Sequence, residues 1–155
     1  MVDTAVLMAQ LAQLVVKQRV SLGCLAEEER RAALSLAWAS LPAGPLREPE
    51  VNQALKLSLA GAACCLGTDH VELRRWLVDA GWLSRDGYGR EYRKLAEADV
   101  YWANQPWAAV WRSVDAAAWV AEQREQHAAR KMQRRQAWET GASGPHGAPG
   151  RTQAA

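Results

Sequence analysis

Phenylalanine is absent from this 155-residue chain, cysteine and histidine occur three times each, and only four of the 19 basic residues are lysines. Each shortage excludes something. Three cysteines are an odd number, and Cys64 and Cys65 are adjacent, so no disulfide framework can be drawn. Reduced thiols in a reducing compartment are expected, with Cys64 and Cys65 as small interior side chains. Cys24, Cys64, Cys65 and His70 have none of the paired spacings with which zinc collects its four ligands, and His127 and His146 belong to no ligand pattern. No metal site and no cofactor are expected. The balance of 19 basic against 17 acidic residues gives a formal charge of +2, which excludes a histone-like binder and leaves room only for a local basic patch. The uncharged stretch Leu57–Thr68 is far short of the ~20 apolar residues of a membrane span. Asp3 precedes the first apolar run and no basic leader opens the chain, so a signal peptide is not expected and a cytoplasmic protein is. Glycine-rich phosphate loops, nucleophile elbows, H-E-x-x-H and spaced carboxylate pairs are missing too, and the chain does not read as an enzyme.

What is present favours helix: thirty alanines, fifteen arginines and eight tryptophans. Leu7, Leu11 and Leu14 share one face of a first helix from Thr4 to about Arg19, with Asp3 or Thr4 as its cap. A second helix opens near Leu25 with Glu27, Glu28 and Glu29 in its first turn, buries Leu34, Ala37, Trp38 and Leu41, and stops at Pro42-Ala-Gly-Pro45. A third starts around Pro49 and buries Val51, Leu55 and Leu59. The small-residue run Ala60–Gly67 either extends that helix or forms a close-packed connection. Asp69-x-x-Glu72 has the spacing of a capping box and opens a helix that ends at Ala80-Gly81.

The period then changes. Trp82–Asp86 and Arg90–Lys94 flank Gly87-Tyr88-Gly89 as two short strands around a tight turn. Two helices followed by a hairpin is the layout of a winged helix-turn-helix, in which the helix before the hairpin enters a DNA major groove and the hairpin is the wing. The fold class expected is therefore mainly α with a small β-hairpin. It comprises an N-terminal helical region (1–44) packed on a winged-helix core (45–96), a Trp-rich C-terminal helical region (97–138) and a disordered tail (139–155).

Glu50-Val51-Asn52-x-x-Leu55, then Asp69-His70-x-x-Leu73-Arg74-Arg75-x-Leu77-Val78-Asp79-x-Gly81-x-Leu83-x-Arg85 and Gly89-Arg90-Glu91-Tyr92, resemble a bacterial family, domain of unknown function 2087, over about residues 25–94. The resemblance implies a small winged-helix module of the kind described as a transcriptional regulator. Ala60–Gly67 reads as an insertion relative to that family's shorter connection, and the N-terminal helix and the Trp-rich region lie outside the resemblance.

In this layout His70, Arg74, Arg75, Arg85, Tyr88, Arg90 and Arg93 are the candidates for contact with double-stranded DNA, because guanidiniums bond phosphates and guanine edges in pairs. Arg75, about 200° around the helix from Leu73, faces solvent, whereas Arg74 reads as structural, paired with a carboxylate such as Glu50, Glu72 or Asp79. From Asp69 to Lys94 six basic residues meet five acidic ones, so a head this close to neutral has few charges with which to hold phosphates. Trp107, Trp111, Val114, Ala118 and Ala121 form a stripe at near-heptad spacing along one long helix from about Asn104, with a weaker continuation at Ala128 and Met132, and Trp119 joins Trp107 and Trp111 as its aromatic residues. That stripe is either core or a surface for a protein partner or a second copy of the chain. Arg130, Lys131, Arg134 and Arg135, with no acid before Glu139, are either a solvated helix end or additional phosphate-binding charge. The function these features point to is a DNA-binding transcriptional regulator or accessory factor, dimerising through the C-terminal helix. The alternative is a winged-helix module that binds protein and not DNA.

Overall fold

A computed structural model describes residues 3–142 of the chain. Its elements are α1 (Thr4–Leu14), α2 (Glu27–Ser40), β1 (Pro45–Arg47), α3 (Glu48–Ala60), α4 (His70–Asp79), β2 (Leu83–Arg85), β3 (Glu91–Lys94), α5 (Gln105–Val110) and α6 (Ala116–Ala137). The chain is mainly helical with one small antiparallel sheet, as the sequence pattern predicts. The described residues up to Gln123 form one compact unit and those from Arg124 a second, the boundary falling inside α6. The tail expected from residue 139 lies outside the described residues beyond Ala142, and Trp138–Ala142 is a π-helical turn.

Local chemistry accounts for most helix ends. The Asp3 carboxylate accepts the Ala5 N–H at 2.9 Å and caps α1. Asp69 accepts the Glu72 N–H at 2.8 Å, but Glu72 turns its carboxylate to the Thr68 hydroxyl, so the capping box is only half made. At α3 the Glu50 carboxylate accepts the Arg47 backbone N–H at 2.9 Å, with Pro49 in the first turn.

Four expectations are corrected. The sheet has three strands, not two: Pro45–Arg47 pairs with β3, giving the order β1-β3-β2. Three residues, one of them proline, carry too little pattern to announce a strand, and β1 exists because β3 offers it a free edge. Next, α1 ends at Leu14, not near Arg19. Arg19 takes a positive φ of 53°, and Val20 leaves the helical path to bridge Leu66, with Val20 N–H on the Cys65 carbonyl and Gly67 N–H on the Val20 carbonyl. This contact also settles Ala60–Gly67 as a connection whose Ala62, Ala63, Cys65 and Leu66 are buried. The third correction is that the single C-terminal helix is two, because Asp115 accepts the Ala118 N–H at 3.1 Å and starts α6 afresh. Trp107 and Trp111 therefore do not lie on one helix with Trp119 and Met132.

The fourth correction follows from the third. Trp107 and Trp111 are 2% and 7% exposed and belong to the core, not to a partner surface. Residues of α5 pack on α1 and α2, and both indole N–H groups are satisfied inside, Trp107 on the Glu28 carboxylate and Trp111 on the Ser35 hydroxyl. Trp119 is half-buried, edge-on to Trp111 at 5.5 Å. One hydrophobic core runs through α1, α2, α3, α4, both hairpin strands and α5. At its centre Trp82 is fully buried and lies 5.4 Å from Trp38, whose own N–H donates to the Leu95 carbonyl. Lys94 lays its ammonium over the Trp38 ring at 4.5 Å, and burial holds its pKa below the ordinary 10.5.

Candidate nucleic-acid interface

Helix α4 and the β2–β3 hairpin enclose a cleft of about 290 Å³ lined by Val71, Arg74, Arg75, Val78, Asp79, Arg85 and Tyr92. The pleat explains the hairpin's share. Arg85 is opposite Tyr92 and Leu83 opposite Lys94, so these four side chains share the face turned toward the helix, and Ser84 and Arg93 share the other. Of the residues expected to touch DNA, the structure thus brings Arg74, Arg75 and Arg85 together. It places Arg93 on the outer face of the sheet, away from the cleft. His70 is the half-exposed first residue of α4, and Tyr88 and Arg90 occupy the hairpin tip.

The two neighbouring arginines of α4 differ completely in setting. Arg74 has a side chain 16% exposed; its guanidinium donates to Asn52 Oδ1, lies 3.3 Å from the Glu48 carboxylate and covers the Tyr92 ring at 5.4 Å. It ties α3, α4 and β3 together, through a carboxylate other than those the sequence proposed. Arg75 is exposed, and among the described residues neither it nor Arg85 makes an ion pair. Asp79 is the one carboxylate that lines the cleft. Sequence reasoning missed Asn52 as the partner of Arg74, and it missed Val71, 40% exposed, as an apolar neighbour of the free guanidiniums. The motif residues that carried the resemblance were the available signal, since Asn52 and Arg74 belong to its two halves.

The hairpin tip is built on Asp86, whose Oδ1 accepts the Arg90 N–H at 2.8 Å and the Glu91 N–H at 3.3 Å. These donors, Arg90 foremost, hold its carboxyl below the ordinary 3.8. Gly89 supplies the positive φ that closes the turn. Tyr88 projects from it, 81% exposed, with the Arg90 guanidinium over its ring at 5.0 Å. Among the described residues no three His, Cys, Asp or Glu side chains converge on a metal position.

The split between Arg74 and Arg75 makes a direct prediction. Arg74→Ala removes a charge-assisted hydrogen bond and should destabilise by about 1.5–3 kcal/mol. Arg75→Ala, on the exposed side, should stay within about 0.5 kcal/mol of the parent. Urea denaturation of the two variants checks this, and equal losses would contradict the assignment.

Residues 25–94 match the model of a family described as an uncharacterized protein conserved in bacteria, domain of unknown function 2087. The match runs from just before α2 through β3, the stretch that contains the whole sheet and the α3–α4 pair, and it coincides with the resemblance seen in the sequence. Neither a curated protein nor a solved structure matches the chain. No helix among the described residues is long and apolar enough to cross a membrane.

Proposed function

We propose that the chain is a non-catalytic DNA-binding module, a regulator or accessory factor of transcription acting in the cytoplasm. In this reading α4 enters the major groove and the β2–β3 hairpin rests on the phosphate backbone. The element order α2, β1, α3, α4, β2, β3, with β1 on β3, supports the winged helix-turn-helix reading. The observation that carries the reading is the pair Arg75 and Arg85: two guanidiniums lining one cleft between the would-be reading helix and the wing, neither paired with a carboxylate among the described residues. Unpaired arginine at such a place has the geometry to take phosphate or guanine. Tyr88 and Arg90 extend the contact at the tip. Arg74 is assigned to the scaffold.

A protein-interaction module is the second reading, and burial of Trp107 and Trp111 takes away its first support. It keeps one feature, the neighbouring Tyr101 and Trp102, 49% and 73% exposed with ring centres 5.5 Å apart.

Titration of the chain into fluorescently labelled random-sequence duplex, followed by anisotropy at several salt concentrations, tests the proposal. Binding is expected, with α4 and the hairpin contributing a log–log salt slope of about −3 to −4, or roughly four phosphates. An Arg75→Ala, Arg85→Ala double variant should lose about half of that share. A parent chain that does not bind at low salt would retire the reading.

A further inference from the structure

The exposed C-terminal half of α6 bears more positive charge than its place in the fold requires. Arg130, Lys131, Arg134 and Arg135 are all exposed. At 3.6 residues per turn they fall within an arc of about 140°, which also takes in His127 and Arg124. Glu125 lies outside that arc. These four cations form three neighbouring pairs at i+3 or i+4, where like charges repel: Arg130 with Arg134, Lys131 with Arg134, and Lys131 with Arg135. Of Arg130, Lys131, Arg134 and Arg135, Arg135 alone pairs with a carboxylate among the described residues, Glu139 at 3.4 Å. The negative end of the helix dipole accounts for Arg134 and Arg135, which occupy the last turn. Its influence fades within that turn, so it does not account for Arg130 and Lys131.

We infer that this stripe is a second phosphate-binding element, one that grips the backbone of duplex nucleic acid independently of α4 and the hairpin. The anion it fits is a regular, multivalent one. Cations repeat along roughly 16 Å of helix, from Arg124 to Arg135, and a duplex presents about one phosphate charge per 1.7 Å of its axis. Arginine supplies most of the stripe, and its planar fork bonds phosphate oxygens in pairs. An anionic membrane is disfavoured by the other side of the helix. A surface-seeking helix buries a row of bulky apolar residues there, whereas this one has Gln126, Ala129, Gln133 and Gln136, with Met132 as the single bulky apolar side chain among them. The stripe also offers the charge that the nearly neutral region from Asp69 to Lys94 does not. The choice of nucleic acid as the partner rests on the reading of α4 and the hairpin given above.

The test compares three chains by the same salt-dependent anisotropy: the parent, Arg130→Gln/Lys131→Gln/Arg134→Gln, and Arg75→Ala/Arg85→Ala. Glutamine keeps helix propensity while removing charge, and circular dichroism checks that α6 remains helical. The triple glutamine variant should lose about 2–3 from the salt slope, equally on all duplex sequences, with affinity falling roughly tenfold or more at physiological salt. Arg130→Lys/Arg134→Lys, which keeps the charge, should retain the parent slope. A triple variant that binds with the parent slope, while Arg75→Ala/Arg85→Ala is weakened, overturns the inference and leaves the α4 reading standing. The reverse pattern overturns the α4 reading and upholds the stripe. A parent chain that binds phosphatidylserine vesicles and not duplex overturns both.

Discussion

Trp82→Ala should be among the most damaging single substitutions in this chain, lowering stability by about 3–5 kcal/mol. Trp82 is fully buried and joins the end of α4 to the hairpin, its indole N–H without a partner among the described residues while its ring packs against Trp38. Its backbone is engaged on both sides, the N–H donating to the Leu77 carbonyl and the carbonyl accepting from Leu95. Truncation leaves a cavity where helix, hairpin and α2 meet, and so close-packed a place collapses only in part. Against a total of about 5–15 kcal/mol for a domain, that loss should lower Tm by roughly 10–20 °C. Trp102→Ala is the control. At 73% exposure it should change stability by no more than about 0.5 kcal/mol. Thermal and urea unfolding of the pair decide the matter, and a Trp82→Ala loss below about 1 kcal/mol would mean that the core is not organised around this residue.

Gly81→Ala is expected to be nearly as severe, for a reason that concerns backbone and not burial. Gly81 ends α4 with φ at +84°, and a Cβ built there would lie 2.6 Å from Tyr101 Cβ and 3.4 Å from Tyr101 N. The positive φ costs a non-glycine residue about 1–3 kcal/mol, and the overlap adds about another 1–3. The overlap cannot be relieved cheaply, because Tyr101 N–H donates to the Gly81 carbonyl and fixes the two segments together at 3.1 Å. Gly87→Ala offers the contrast. Nothing lies within 4 Å of a Cβ there and the residue is not among those with positive φ, so that substitution should be neutral or slightly stabilising. If both alanines behave alike in urea unfolding, the close approach of Tyr101 to the turn is not a constraint on the fold.

The two substitutions touch the turn that aims the hairpin at α4, and so bear on function as well as stability. Arg75 comes from the helix and Arg85 from the hairpin, and the cleft they share exists only while Gly81 and Trp82 hold the angle between them. On the proposed DNA-binding reading, variants that loosen this turn should lose nucleic-acid affinity along with stability, whereas Arg75→Ala should lose affinity alone.

By itself the sequence determined whatever depends on neighbours a few residues away. Leu7, Leu11 and Leu14 set the buried face of α1, Asp69 began α4 and Gly81 ended it, and Asp86 with Gly89 closed the hairpin. These signals suffice for the order helix, helix, hairpin, because caps, turns and periodicities act within one or two turns of chain. Tertiary structure alone decided what depends on groups far apart in sequence. Arg74 meets Asn52 across 22 residues, and Trp107 and Trp111 find Glu28 and Ser35 across 79 and 76. That is why Arg74, read as structural, found its carboxylate on Glu48 and not on Glu50, Glu72 or Asp79, and why the tryptophan stripe, open between core and partner surface, became core at Trp107 and Trp111. Likewise β1 is a strand because β3 lies beside it, and α1 stops at Leu14 because Val20 is taken up by Leu66. A local pattern fixes which way a side chain leaves the backbone; only the assembled fold fixes what it meets there.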